Sequence, residues 1–264
     1  MKYLQTYERW LEPKYLSDEQ LDALIAKYNP DFKWSDKAIW RGDHMADEDI
    51  YLTDSDIKPR KSANTSNYYT YLWDNSPYLG DFPKRSMSVI CSTEKYGAED
   101  YGNLYRVIPF SDAKISMAPA SDFWASFKMI QKQFDTNYES LDTFNEILKK
   151  SYKILTKGKY LSDDSKKIFF KSMEELIKKL NVSDVKLEEM YDGYEQDKRF
   201  SIMPFDVILQ MPKTLDEYYK LLDPYANGFQ LLDYVEYVET EEEDAEVFIE
   251  GGHILVTLER NRKE

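Results

Sequence analysis

Arg85-Ser86-Met87-Ser88-Val89-Ile90-Cys91-Ser92-Thr93 alternates hydroxyl and apolar side chains with the period of a β-strand. In extended backbone Ser86, Ser88, Ile90 and Ser92 share one face, while Met87, Val89 and Cys91 share the other. A strand that is apolar behind and hydroxyl-lined in front can wall a polar cleft and hold an arginine or a carboxylate in place. An edge strand with its serines in water is the plainer use of the same pattern.

Working outward from this strand, a short helix is expected around Glu94 to Tyr101, closed by Gly102, then strands over Leu104 to Pro109 and Lys114 to Met117. The block reads β-α-β-β. Upstream, Lys37 through Ile39 and Arg41 gives a further strand, and Ala63 to Trp73 a helix that ends at the turn Asn75-Ser76-Pro77. Ser17-Asp18-Glu19-Gln20 offers an N-cap with acids in the first turn, and Leu21, Leu24, Ile25 and Tyr28 follow at helical spacing until Asn29-Pro30.

Downstream, Asp122 to Phe134, Leu141 to Leu155, Ser165 to Leu180 and Thr214 to Leu222 are amphipathic at helical spacing. Strands return at Phe229 to Val238, Glu246 to Ile249 and Ile254 to Leu258, with Gly251-Gly252 as the turn joining the last two. The fold class is α+β. A single domain over residues 1–264 is predicted, with core strands within about 37–120 and 229–258 and a helical insertion over about 121–225.

Composition sets outer bounds. A chain of 264 residues with 42% apolar side chains can bury a substantial core. Its one cysteine, Cys91, has no intramolecular disulfide partner, which fits a reducing cytoplasm. No apolar run approaches the roughly 20 residues of a membrane span, so no membrane partner is expected. A net charge of -14 opposes broad nucleic-acid binding. The excess is uneven: lysines dominate from Phe144 to Leu180, and acids from Glu236 to Glu246.

Three polar groups stand out against this background. Asp244-x-Glu246 places two carboxylates on one face of an expected strand, where one acid can orient a nucleophile while the other supports a developing cation. Arg41, between Trp40 and Gly42, can pair bidentately with a diphosphate, and Gly42 would admit a planar amide close to the backbone. Solvated strand ends and a surface ion pair are the bland uses of the same residues.

The order of Arg41, a serine-bearing strand and Asp244-x-Glu246 resembles the Arg-Ser-Glu class of ADP-ribosyltransferases. Phe82 through Thr93, then Ala98, Tyr101-Gly102 and Tyr105-Arg106-Val107-Ile108-Pro109, looks like the central stretch of such domains in phage proteins, and Glu246 to Gly251 is similar to their closing strand. The resemblance covers about residues 37–120 and 229–258, leaving the N-terminal helix and the insertion outside it. It implies a split β-sheet core carrying an N-terminal helical segment and a large helical insertion, with NAD as substrate.

It further implies that Arg41 binds the NAD phosphates, the Gly42 backbone holds the nicotinamide amide, and Glu246 is the catalytic glutamate. Asp244 stands where the class carries the residue that orients the acceptor. Ser92-Thr93 fits the usual Ser-Thr-Ser wording with Glu94 in its third place, but Ser88 fits by strand placement and is taken as the site serine, with Ser92 beside it on the NAD-binding face. The implied activity is mono-ADP-ribosylation of a macromolecule, a host protein in the host cytoplasm, with water as a competing acceptor. A catalytically inactive module of the same fold, acting through its insertion or on a virion, is the alternative.

Overall fold

The computed structural model describes residues 10–11, 16–34, 36–44, 50–53, 59–61, 66–135, 140–195, 203–241 and 244–257. The chain divides into two compact units, one of residues 1–63, 79–123 and 228–264 and one of residues 64–78 and 124–227. The first holds the sheet and the second is helical, so the molecule is α+β. The expected openings at residue 1 and at Ala63, and the Leu258 end of the last strand, lie outside the described residues.

The sheet unit begins with β1 (Trp10–Leu11) and α1 (Asp18–Tyr28). Ser17 caps α1 by accepting from Gln20 N, and Gln20 returns the bond to the Ser17 backbone, so both ends of the capping box are made. β2 (Ile39–Asp43), β3 (Ile50–Thr53), β4 (Val89–Ser92), β5 (Asn103–Pro109) and β6 (Lys114–Met117) follow, with α3 (Lys95–Glu99) between β4 and β5. After residue 228 come β7 (Gln230–Leu232), α11 (Tyr234–Glu239), β8 (Glu246–Glu250) and β9 (His253–Thr257).

All described pairings are antiparallel, in the order β1-β3-β9-β5-β2-β4-β8-β6-β7. β2 pairs with β5 over its whole length but with β4 at Trp40↔Ser92 alone. The sheet is therefore two ladders joined at one residue pair. Ile39, Tyr105, Val107 and Leu255 from one ladder and Val89, Cys91, Ile115, Val247 and Ile249 from the other share a core, which Tyr234 and Tyr237 of α11 complete. On the opposite face of the first ladder, Leu21 and Ile25 of α1 pack with Ile50, Ile108, Ile254 and Val256.

Two sequence expectations change here. Gly251-Gly252 does not close a hairpin: β8 lies in one ladder and β9 in the other, so the turn is a corner between them. The β5–β6 connection makes the same crossing, and the two corners stack, Phe110 N donating to Gly252 O at 2.9 Å. A Cβ on Gly252 would stand 2.3 Å from the Phe110 ring, so any larger residue would have to displace that ring. The expected strand from Phe229 to Val238 stops at Leu232, because Asp233 caps α11 in a box with Glu236.

In the helical unit, α2 (Tyr68–Asp74) precedes α4 (Lys128–Phe134), α5 (Ser140–Leu155), α6 (Lys166–Leu180), α7 (Asp184–Glu195), α8 (Phe205–Leu209), α9 (Leu215–Leu221) and α10 (Pro224–Asn227). These helices belong to the unit of residues 64–78 and 124–227, so α2 groups with the later helices rather than with the sheet. Asn67 N donates to Asp163 and the Tyr68 hydroxyl to Leu161 O, while the Tyr68 ring stacks on Phe169.

Candidate functional site

The sheet register brings the three singled-out segments together. Trp40 of β2 pairs with Ser92 of β4, and Ser92 pairs with Glu246 of β8. Residues directly opposite in antiparallel strands share a face, so Trp40, Ser92 and Glu246 form one row across three strands. That face is opposite to the Val89, Cys91 and Val247 core.

Glu246 is held by its backbone and by both carboxylate oxygens. Its N–H donates to Ala120 O and its carbonyl accepts from Ala118 N. Oε2 accepts from Phe123 N at 2.7 Å, and Oε1 accepts from Arg85 Nη1 at 3.2 Å. The bond to Phe123 breaks the helix expected over Asp122 to Phe134 into a 3₁₀ turn at Phe123–Ala125, followed by α4. The Arg85 guanidinium carbon lies 4.1 Å from the Phe123 ring centroid and 5.2 Å from that of Phe248. Two rings and one carboxylate therefore fix the plane and the edge of this guanidinium.

Residues 85–87 are a 3₁₀ turn, not the first half of a strand. Glu250 accepts from Lys84 N at 2.6 Å, and Arg60 donates through N to Ser86 O and through Nε to Arg85 O. These bonds lay the turn along the outer face of β8, removing Ser86 and Ser88 from the strand alternation. Ser88 is 1% exposed, and its Oγ donates to Lys84 O at 2.7 Å, bracing the turn. Ser92 is the serine set beside Glu246; its Oγ accepts from Glu94 N, which starts α3.

Arg41 lies on the other face of the sheet, in the row of Ile39 and Asp43. Its Nη2 is 3.4 Å from Asp43 Oδ2 and its Nη1 donates to Ile90 O, with both side chains buried. The guanidinium bridges β2 and β4 where their ladder stops. At Gly42 a Cβ would stand 1.9 Å from Ala98 O, so this glycine admits the end of α3 against β2. Asp244 precedes β8 in left-handed backbone, φ 55°, and is exposed, so the two carboxylates do not share a strand face.

Sequence reasoning gave no role to Arg85, Phe123, Phe248 or Thr93. Thr93 Oγ1 accepts from Ala245 N at 2.8 Å, and Thr93 N donates to Ala245 O, clamping the entry of β8. The readable signal was Glu246-x-Phe248-x-Glu250, an alternation whose two acids call for cationic and N–H partners. Tyr101 adds an aromatic beside the row: the residue is 61% exposed, and its phenol is pushed up by partial desolvation first and then by the charge of Glu246. Among the described residues no group of three or more His, Cys, Asp and Glu is placed to hold a metal ion. No protein family, curated protein or solved structure matches the chain.

Proposed function

We propose that the protein is an NAD-dependent mono-ADP-ribosyltransferase of the Arg-Ser-Glu class, built on a split-sheet ADP-ribosyltransferase fold. The observation that carries this reading is the row Trp40, Ser92 and Glu246: three segments taken from positions 40, 92 and 246 of the sequence meet as adjacent strands β2, β4 and β8. The resemblance names the same three segments.

In this reading Glu246 accepts a hydrogen bond from the ribose 2′-hydroxyl and faces the positive charge that grows on the sugar. The bond from the anomeric carbon to the nicotinamide nitrogen breaks, its electron pair leaves with nicotinamide, and a nucleophile of the acceptor forms the new bond and loses its proton. Ser92 serves as the site serine, because Ser88 is spent on the turn. Arg41 supports the sheet junction, since Asp43 and Ile90 O hold it on the other face. Asp244, exposed ahead of Glu246, stands at the acceptor side.

The test is nicotinamide release from NAD by the wild type and by Glu246→Gln. Loss of one preorganised charge predicts a fall on the order of 100-fold. Unchanged release in the variant removes Glu246 from the chemistry. Labelled NAD in a host lysate then identifies the acceptor. The buried Arg41–Asp43 pair favours a second reading, the catalytically inactive module, for which a folded wild type releases no nicotinamide.

A further inference from the structure

We propose that the outward side of α3 and the turn that ends it, carrying Tyr96 and Tyr101, is a docking surface for a basic polypeptide segment of a partner protein. Tyr96 is 80% exposed and Tyr101 is 61% exposed, within one short stretch of the sheet unit. Among the described residues neither ring packs on another ring and neither hydroxyl is hydrogen-bonded. Tyrosines elsewhere near the surface are engaged: Tyr28 stacks on Phe110, the Tyr78 hydroxyl donates to Asp216, and Lys153 Nζ lies 5.0 Å from the Tyr160 ring centroid. Rings with an apolar body and a polar tip are enriched where proteins meet.

The way α3 seats on the sheet exposes these residues. Ala98 O packs against Gly42, and a Cβ on Gly97 would stand 3.4 Å from Ser92 Oγ, so positions 97 and 98 face the strands. Tyr96 and, one helical turn on, Asp100 are left in solvent. Glu94 and Glu99 are exposed beside them, and the one cation of residues 94–101, Lys95, lies 4.7 Å from the Trp40 ring centroid. The phenol of Tyr101 is raised by desolvation first and then by the charges of Glu246, Asp122 and Asp100, which adds further acids to the same surroundings. Rings set among carboxylates attract a cation twice: the ring face meets the guanidinium or ammonium, and the acids accept its N–H groups. The same acids repel phosphates, so a nucleic acid does not fit. Residues 94–101 span roughly 10 Å of helix and turn, and an extended segment repeats its side chains on one face every ~7 Å. Two basic side chains of a polypeptide therefore fit along this stretch, and the surface does not depend on NAD chemistry.

Calorimetry with a short synthetic peptide alternating Arg and Gly, and with its Gln-Gly counterpart, tests this surface on the full chain without NAD. The wild type is expected to bind the Arg peptide about 10-fold or more tightly than the Gln peptide. Tyr96→Ser with Tyr101→Ser leaves the net charge unchanged and is expected to weaken the Arg peptide about 10-fold, through loss of two cation–π contacts. Glu99→Lys with Asp100→Lys is expected to weaken it at least as much. Glu188→Lys with Glu189→Lys makes the same change in net charge at exposed positions of α7, in the helical unit, and is expected to alter affinity by less than about 2-fold at physiological salt. A wild type without preference for the Arg peptide overturns the proposal, as does a double serine variant of full affinity. An α7 variant weakened as much as the α3 charge variant also overturns it, because net charge alone then accounts for binding. A chain that binds the peptide through the two tyrosines yet releases no nicotinamide from NAD overturns the transferase reading alone.

Discussion

Gly42 and Gly97 lie on either side of the contact between α3 and β2, and they differ in the room they leave. A methyl at Gly42 would meet a backbone carbonyl, Ala98 O, at 1.9 Å, which no side-chain rotation relieves. Gly42→Ala is expected to cost about 2–3 kcal/mol, the upper range of overpacking, lowering the melting temperature by several degrees. At Gly97 the nearest atom to a new Cβ is Ser92 Oγ at 3.4 Å, and the position is helical. Gly97→Ala is expected to leave stability unchanged or to raise it by up to about 1 kcal/mol through helix propensity. Thermal unfolding of the two variants checks both signs, and equal melting temperatures would remove the close approach as the reason for Gly42. At this scale the strand position of Glu246 was legible, and the face of the sheet taken by Arg41 was not. Glu246 is a polar residue heading an apolar strand, a local anomaly, whereas the face taken by Arg41 depends on a β2–β4 contact that exists at one residue pair. Arg85 looked like one more strand residue because nothing within the sequence window shows that Glu246 and Glu250 bend its segment into a turn.

Among the elements, β8 matters most, since it delivers Glu246, and its entry is clamped by Thr93. Ala245 is 2% exposed and donates its N–H to Thr93 Oγ1. Thr93→Val keeps the shape and removes the acceptor, leaving a buried N–H without that bond. The expected cost is about 1–3 kcal/mol. Because the same clamp sets the start of β8, nicotinamide release is expected to fall in Thr93→Val at temperatures where the protein is fully folded. Unfolding in urea together with the release assay reads both effects, and a variant as stable as the wild type would show that the clamp carries no load. Elements whose cause lies within a few residues were legible, as with α1 and its Ser17–Gln20 box, or α5, α6 and α9 with their periodic apolar faces. The Asp233–Glu236 box was just as local, but the apolar run around it read as strand, and α11 was missed. α7 and α8 also escaped: α7 alternates charge with few apolar anchors, and α8 spans five residues. The succession β4-α3-β5-β6 along the chain was legible but the strand order was not: β2 lies between β5 and β4, and β8 between β4 and β6, because the crossing of both corners between ladders is a long-range choice.

Over the whole molecule, the charge and the tyrosines act in the same direction at high pH. The sheet unit carries 30 acidic and 18 basic side chains and the helical unit 19 and 17, so nearly all of the net -14 sits with the sheet. A field of that sign attracts basic macromolecules to the sheet unit, and in the function proposed above a basic protein surface is the acceptor best matched to it. Into this acidic body the fold buries phenols whose ionisation it opposes. Tyr68 is pushed up to about 12, by burial first and then by Asp163, and Tyr105, Tyr218, Tyr234 and Tyr237 are raised as well, with burial the leading cause in each. An unfolded tyrosine loses its proton near pH 10, while folded Tyr68 keeps it until about 12, so between these values the folded state binds more protons and stability falls as pH rises. The contribution of Tyr68 is intact below about pH 10 and gone above its folded pKa, a loss of roughly 1–2 kcal/mol after allowance for solvent screening. The other raised phenols add losses of the same sign, and deprotonation of lysines deepens the net negative charge over the same range. Urea unfolding between about pH 8 and pH 11 is therefore expected to show a falling midpoint with a nearly constant slope, and Tyr68→Phe to show a shallower fall, since it has no proton to lose. A midpoint that stays level to pH 11 would mean that these hydroxyls ionise as freely in the fold as in water, and the burial that places Tyr68 against Leu161 O would then be wrong.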